Sequence, residues 1–214
     1  MSDRFSKAPR LSAKRVPGLV RRWRYGQPIV VVSGLPRSGT SMAMKMLEAG
    51  GLTVVTDNVR AADDDNPRGY YEDERVKDLA RDANRTWLRD ARGKAIKIIS
   101  FLLKDLPPDN NYKVLFMERD LGEVLASQQK MLDNRGEETG SADDQMREHY
   151  TEHLRHVKFM VGYRRQFDTL FVSYRTVLDQ PREEVRRINQ FLGGIADEKA
   201  MIEVVDRALY RNRA

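Results

Sequence analysis

The stretch "GLPRSGTS", Gly34 to Ser41, brings two glycines, a guanidinium and three hydroxyls into eight residues. Glycines let the backbone turn tightly and come close to a ligand. Arg37 adds a permanent planar charge that can fork onto anionic oxygens. Ser38, Thr40 and Ser41 add hydroxyl donors. Gly34 and Gly39 stand at the spacing of the G-x-x-x-x-G-K-[ST] phosphate loop, but Thr40 occupies the lysine position. That lysine reaches the β- and γ-phosphates of a triphosphate, so its replacement predicts an anion other than Mg-ATP.

Further candidates lie downstream. Arg119 directly follows the apolar run "KVLFME", and Ser127 comes eight residues later. A cation after that run suits a second phosphate better than a magnesium ion. Lys97 sits in "AIKIISFLL", and Glu72 in "NPRGYYED". The three histidines share one segment, "EHYTEHLRH": His149, His153 and His156. Spacings of four and three put them on one helical face. No H-E-x-x-H pattern accompanies them, so a solvated or acceptor-facing helix is expected rather than a metal site.

These residues need elements to hold them. "PIVVVS" (Pro28 to Ser33) is a short apolar β-branched run, the mark of a buried parallel strand. Thr40 to Ala49 reads as a helix stopped by Gly50 and Gly51. Leu52 to Val55 reads as a strand, Glu72 to Arg89 as a helix, Ala95 to Leu103 and Lys113 to Glu118 as strands. Helices are predicted over Leu121 to Leu132, Asp143 to Gln166, Pro181 to Leu192 and Glu198 to Leu209, with a strand from Thr169 to Tyr174. The alternation predicts an α/β fold: a parallel sheet of about five strands with helices on both faces, a three-layer sandwich. Ligands bind at the carboxyl ends of such strands.

Composition narrows the class. The 214 residues suit one domain, with 40% hydrophobic and 33% charged side chains. There is no cysteine. Disulfides and thiolate metal sites are therefore excluded, and a reducing cytoplasm fits. No apolar run approaches the roughly 20 residues of a membrane span. The net charge of +6 is unevenly distributed. Residues 1–27 hold eight Lys/Arg and one acid, leaving 30 basic and 31 acidic residues in the remainder. The division expected is a basic, partly disordered arm over 1–27 and a single domain over 28–214. Such an arm could touch nucleic acid or an anionic membrane surface; the plainer reading is a solvated, partly ordered arm with no specific nucleic-acid partner.

"GLPRSGTSMAMKML" resembles the 5′-phosphosulfate-binding loop of sulfotransferases, close to P-R-S-G-T-[ST]. "VLFMERDLGEVLASQ" resembles the same family's 3′-phosphate-binding element, here Arg119 and Ser127. "VSYRTVLDQPREEVRRINQFLG" is similar to its Y-E-x-L-x-x-x-P and F-L-G segment. Two positions depart from the pattern. Leu121 stands where proline is frequent, and Arg175 where an acid is common.

The resemblance implies 3′-phosphoadenosine 5′-phosphosulfate as donor, 3′,5′-adenosine bisphosphate as product, and no metal. It implies that Pro36, Arg37, Ser38, Gly39, Thr40 and Ser41 bind the 5′ end. Arg119 and Ser127 would bind the 3′-phosphate, joined by Arg211 unless that residue is an ordinary basic tail. Arg37 and Lys97 would stabilise the leaving oxygen. The family's histidine after the third-strand lysine is missing. Glu72, in a stretch resembling N-P-x-G-[YF]-x-E, is then either the general base or a helix-start carboxylate facing the dipole. The acceptor, whether small molecule, carbohydrate or peptide, is not named by these residues, and neither is the oligomeric state. Two other readings compete. One is a kinase or ATPase with a degenerate loop. The other is a non-catalytic nucleotide-binding protein of the same fold.

Overall fold

The computed structural model describes residues 18–57, 71–81, 84–135 and 143–205. Five strands form one parallel sheet: β1 (Ile29–Gly34), β2 (Val54–Val55), β3 (Ala95–Lys97), β4 (Tyr112–Glu118) and β5 (Phe167–Ser173). Their order is β2-β3-β1-β4-β5. The helices are α1 (Gly18–Tyr25), α2 (Thr40–Ala49), α3 (Leu121–Arg135), α4 (Asp143–Tyr163), α5 (Tyr174–Asp179), α6 (Pro181–Leu192) and α7 (Glu198–Glu203).

The β-branched run of β1 is the central strand, and alternate side chains enter opposite layers. Val30 and Val32 pack with Met44, Leu47, Val177, Ile188 and Met201 from α2, α5, α6 and α7. Ile29 and Val31 pack with Val157 and Val161 of α4 and with Leu88 and Leu103. All six β1 residues are buried, as expected for a strand covered on both faces. A third cluster at the carboxyl end joins Leu35 to Val124, Leu125 and Tyr150. The expected fold class is therefore the observed one.

After β1 the chain turns through α2 toward β2 on one side. After β4 it turns through α3 and α4 toward β5 on the other. The crevice between β1 and β4 is thus the point where the connections diverge, the usual place for a ligand in an open parallel sheet.

Three sequence expectations fail locally. The helix expected over Glu72 to Arg89 is two 3-10 segments among the described residues, Glu74–Val76 and Thr86–Ala91. Side chains take the backbone away from a continuous helix. Asp73 accepts from Arg75 N at 3.1 Å, and Asn84 Oδ1 accepts from Thr86 N at 3.2 Å. Spacings of three still bury Val76, Leu79, Leu88 and Ala91.

The strand expected to reach Leu103 ends at Lys97, and Ser100–Asp105 forms a 3-10 segment. Its last bond to β1 is Ile98 N to Val32 O, because β1 itself ends at Gly34. The last helix ends at Glu203, and the remainder of that expectation, Arg211 included, lies outside the described residues. Within the expected N-terminal arm, Gly18–Tyr25 is helical and bonded to the body: Arg21 Nε donates to Asn111 Oδ1 at 2.7 Å.

Candidate functional site

The loop after β1 is shaped by close packing at its two glycines. Gly34 (φ 152°) faces Ser38 and the Met117 carbonyl, and a Cβ there would come within 2.4 Å of Ser38 Oγ. Gly39 (φ 99°) lies against the ring of Tyr174, which a Cβ would approach to 2.4 Å. Only glycine meets both the left-handed backbone and the lack of space. Between them Arg37 adopts φ 68°, unusual for a residue with a side chain. Ser38 is buried and turned inward, its hydroxyl donating to Leu35 O at 2.7 Å. Ser38 therefore braces the loop, while Thr40 and Ser41 open α2.

Gly39 is the N-cap of α2 and provides no side-chain cap. The first N–H groups of α2 point along its axis toward the loop, with the positive end of the helix dipole. An anion is the natural complement of that arrangement.

Two cationic side chains converge there from distant sequence. Arg37 Nε donates to Ser127 Oγ of α3 at 3.0 Å. Arg119, just beyond β4, donates from Nη1 to the Arg37 carbonyl at 3.2 Å. Parallel pairing makes this possible, since Gly34 of β1 is in register with Met117 of β4. The Arg119 guanidinium lies 4.7 Å from the centroid of the Tyr174 ring and pairs through Nε with Glu123 Oε2 at 2.8 Å. Both charged side chains of that pair are more than nine-tenths buried. Tyr174 and Glu123 are the residues that sequence reading missed. The signal for Glu123 was its position four residues after Arg119. Tyr174, read there as the end of a strand, instead opens α5 and forms the floor beneath Gly39 and Arg119.

The second group lies at the carboxyl end of β3. Lys97 is in register with Val32, two residues before Gly34. Its Nζ is 3.2 Å from Glu72 Oε1. Glu72 precedes the first 3-10 segment rather than starting a helix. Its carbonyl accepts from Asp57 N and Thr56 Oγ1, both at 3.1 Å. Neighbouring Tyr71 (φ 51°) donates to Glu48 Oε2 at 2.6 Å, and burial followed by that bond raises its phenol pKa. Tyr71 packs on the α2 side of the core.

The three histidines separate. His153 Nε2 is 2.8 Å from Ser100 Oγ, and its ring stacks on Phe101 with centroids 3.7 Å apart. Burial, then the nearby His149, His156 and Lys104, pushes the His153 pKa below its ordinary value, favouring the neutral ring. His149 and His156 are exposed.

The donor set fits a ligand with anions at two points. An uncapped helix start, two arginines and the Ser127 hydroxyl meet at the β1–β4 crevice. A family model described as "Sulfotransferase domain" matches residues 27–213. No curated protein matches the chain.

Proposed function

This chain belongs to the sulfotransferase family and is a sulfuryl-transferring enzyme, and from that premise we propose that its donor is 3′-phosphoadenosine 5′-phosphosulfate and its acceptor group a hydroxyl or an amine. The observation that carries this reading is the link between Arg37, Ser127 and Arg119. Residues separated by 90 and 82 positions are joined by bonds of 3.0 and 3.2 Å. A site for one phosphate needs only the loop; the added arginine and serine give it a second anion-binding end. The 5′ end is assigned to the backbone and side chains of Pro36 to Ser41, with Ser38 acting through the loop it braces. The 3′-phosphate is assigned to Arg119 and Ser127.

When bound, the donor supplies a sulfur open to in-line attack, whose bond to the 5′-phosphate oxygen breaks as the acceptor's bond forms. Glu72 Oε2 or Oε1 takes the acceptor proton. Arg37, Lys97 and the N–H groups at the start of α2 meet the negative charge that collects on the departing oxygen. The ion pair of Lys97 with Glu72 holds both groups at the strand ends, so one assembly carries the base and a leaving-group cation. Preset charges of this kind need no reorganisation during the step.

Thermal stabilisation tests the donor assignment. At a hundred times its dissociation constant, 3′,5′-adenosine bisphosphate should stabilise the protein by about 2.7 kcal/mol. ADP and Mg-ATP at equal concentrations should do markedly less. Equal stabilisation by ADP or Mg-ATP would return the loop to a phosphoryl-transfer or plain nucleotide-binding role.

A further inference from the structure

The opposite edge of the sheet carries a different chemistry. Here the chain enters the strands, and three backbone bonds tie the entry segments together. They are Gly93 N to Pro28 O at 3.0 Å, Ile29 N to Asn111 O at 2.8 Å and Tyr112 N to Gln166 O at 2.9 Å. Basic residues crowd these segments: Arg92 and Lys94 before β3, Arg164 and Arg165 before β5, and Arg21, Arg22 and Arg24 in α1. Two acids near these segments are paired: Asp109 with Arg89 at 3.0 Å, and Asp168 with Lys113 at 3.7 Å. Residues 1–17 add five Lys/Arg and one Asp to the same end of the chain.

At the corner of this edge α1 presents apolar side chains to solvent. Trp23 is 88% exposed and Val20 51%. Three residues apart, they share one helical face. The helix is not loose: Arg21 holds it through Asn111 Oδ1 and the Asn110 carbonyl, and Asn111 Nδ2 returns a bond to Arg21 O at 2.9 Å. A fixed helix thus displays an indole and an aliphatic chain beside exposed Arg22 and Arg24, with no acid in its sequence.

We propose that this N-terminal edge, led by α1, docks the enzyme onto an anionic lipid membrane. Indole rings favour the headgroup level, and basic clusters are drawn to anionic lipid. Val20 distinguishes this surface from a nucleic-acid one. An aliphatic side chain beside the indole gains by entering the acyl boundary, whereas nucleic acid offers it no comparable environment. At eight residues α1 is about 12 Å long, far short of the bilayer core of about 30 Å, so it lies on the membrane rather than across it. The strands then set the orientation. The donor site is at their far ends and opens away from the lipid into water, where a charged donor is found. The docking surface stands independently of the donor assignment.

Sedimentation of the full chain with vesicles tests it. Vesicles with about 30 mol% phosphatidylserine should bind the protein at least roughly tenfold more strongly than phosphatidylcholine alone, and salt should weaken the binding. The double variant Val20→Ser/Trp23→Ser should lower binding to the anionic vesicles by about tenfold. Its melting temperature should match the parent's, because both side chains lie on the surface. Equal binding to neutral and anionic vesicles, no binding to either, or full binding by the double variant overturns the proposal. So does tighter binding to a single-stranded oligonucleotide than to the anionic vesicles, which would assign the surface to nucleic acid.

Discussion

The two halves of the candidate site are built differently. Around the glycine loop, backbone geometry and close packing fix the donors. Gly39 sits on Tyr174, Ser38 bonds Leu35, and Arg119 bonds the loop's own carbonyl. Around Glu72 and Lys97, single side-chain pairs join regular elements to irregular segments: Lys97 of β3 to Glu72, and His153 of α4 to Ser100. The first region tolerates no change of backbone shape. The second is sensitive to the chemistry of one group at a time.

The largest effect expected separates these modes. Gly39→Ala places a methyl group 2.4 Å from the Tyr174 ring at a backbone φ of 99°. A cost of about 2–4 kcal/mol in stability follows from strain and overpacking together. Bisphosphate binding should be lost with it. Chemical denaturation and thermal shift measure both, and a variant with parental stability would show that the loop is not held by that contact.

Glu72→Gln is the opposite experiment, since it keeps the shape and removes the carboxylate proposed as base. Turnover on a panel of phenol, amine and sugar acceptors should fall by about 10²–10⁴, the usual range for a general base. Bisphosphate affinity should stay at the parent value. Retained turnover would leave Glu72 as a structural partner of Lys97 only.

Arg119 lies between the two modes, because it both shapes the loop and carries charge. Removing it alone would strand the buried Glu123 carboxylate, a large penalty in itself. The informative variant is therefore Arg119→Ala/Glu123→Gln. Its preference for the bisphosphate over ADP should fall by about ten- to a hundredfold, the worth of one charge-assisted contact. An unchanged preference would move 3′-phosphate recognition to other residues.

The same division governs what the sequence reveals. The loop, β1, α2 and α6 are legible because their signals are local: a β-branched run, glycines at fixed offsets, and proline at the start of α6. The parallel sheet follows from strand–helix alternation, whereas its order, β2-β3-β1-β4-β5, does not. The Glu72 segment is not legible in this way, because its helical spacing of apolar residues also fits 3-10 turns, and Asp73 and Asn84 decide between them. The end of β3 is equally hidden, since it depends on where its neighbour β1 turns away. Most hidden is the pairing of Ser100 with His153, 53 residues apart, which periodicity along α4 cannot supply. Periodicity put three histidines on one face; the Ser100 contact and the closer approach to Phe101, 3.7 Å against 6.0 Å for His149, distinguish the middle one.

That distinction gives the smallest effect and the finest test. Burial, then His149 and His156 on its own helix and Lys104 on the facing 3-10 segment, disfavour protonation of His153. Its folded pKa therefore lies below the value near 6.5 of the unfolded chain. In that interval the unfolded state holds more protons, so stability rises with pH. The contribution of neutral His153 is complete above about pH 6.5 and is lost as pH falls toward and through the folded pKa. His153→Gln keeps a nitrogen within reach of Ser100 but does not titrate. Its melting temperature should fall less between pH 7 and about pH 5 than that of the parent. Exposed His149 and His156 remain in both proteins, so the difference isolates the half-buried ring of His153. Coincident profiles would mean that the ring at Ser100 charges as readily folded as unfolded, and that packing on this side of the site does not disfavour its protonation.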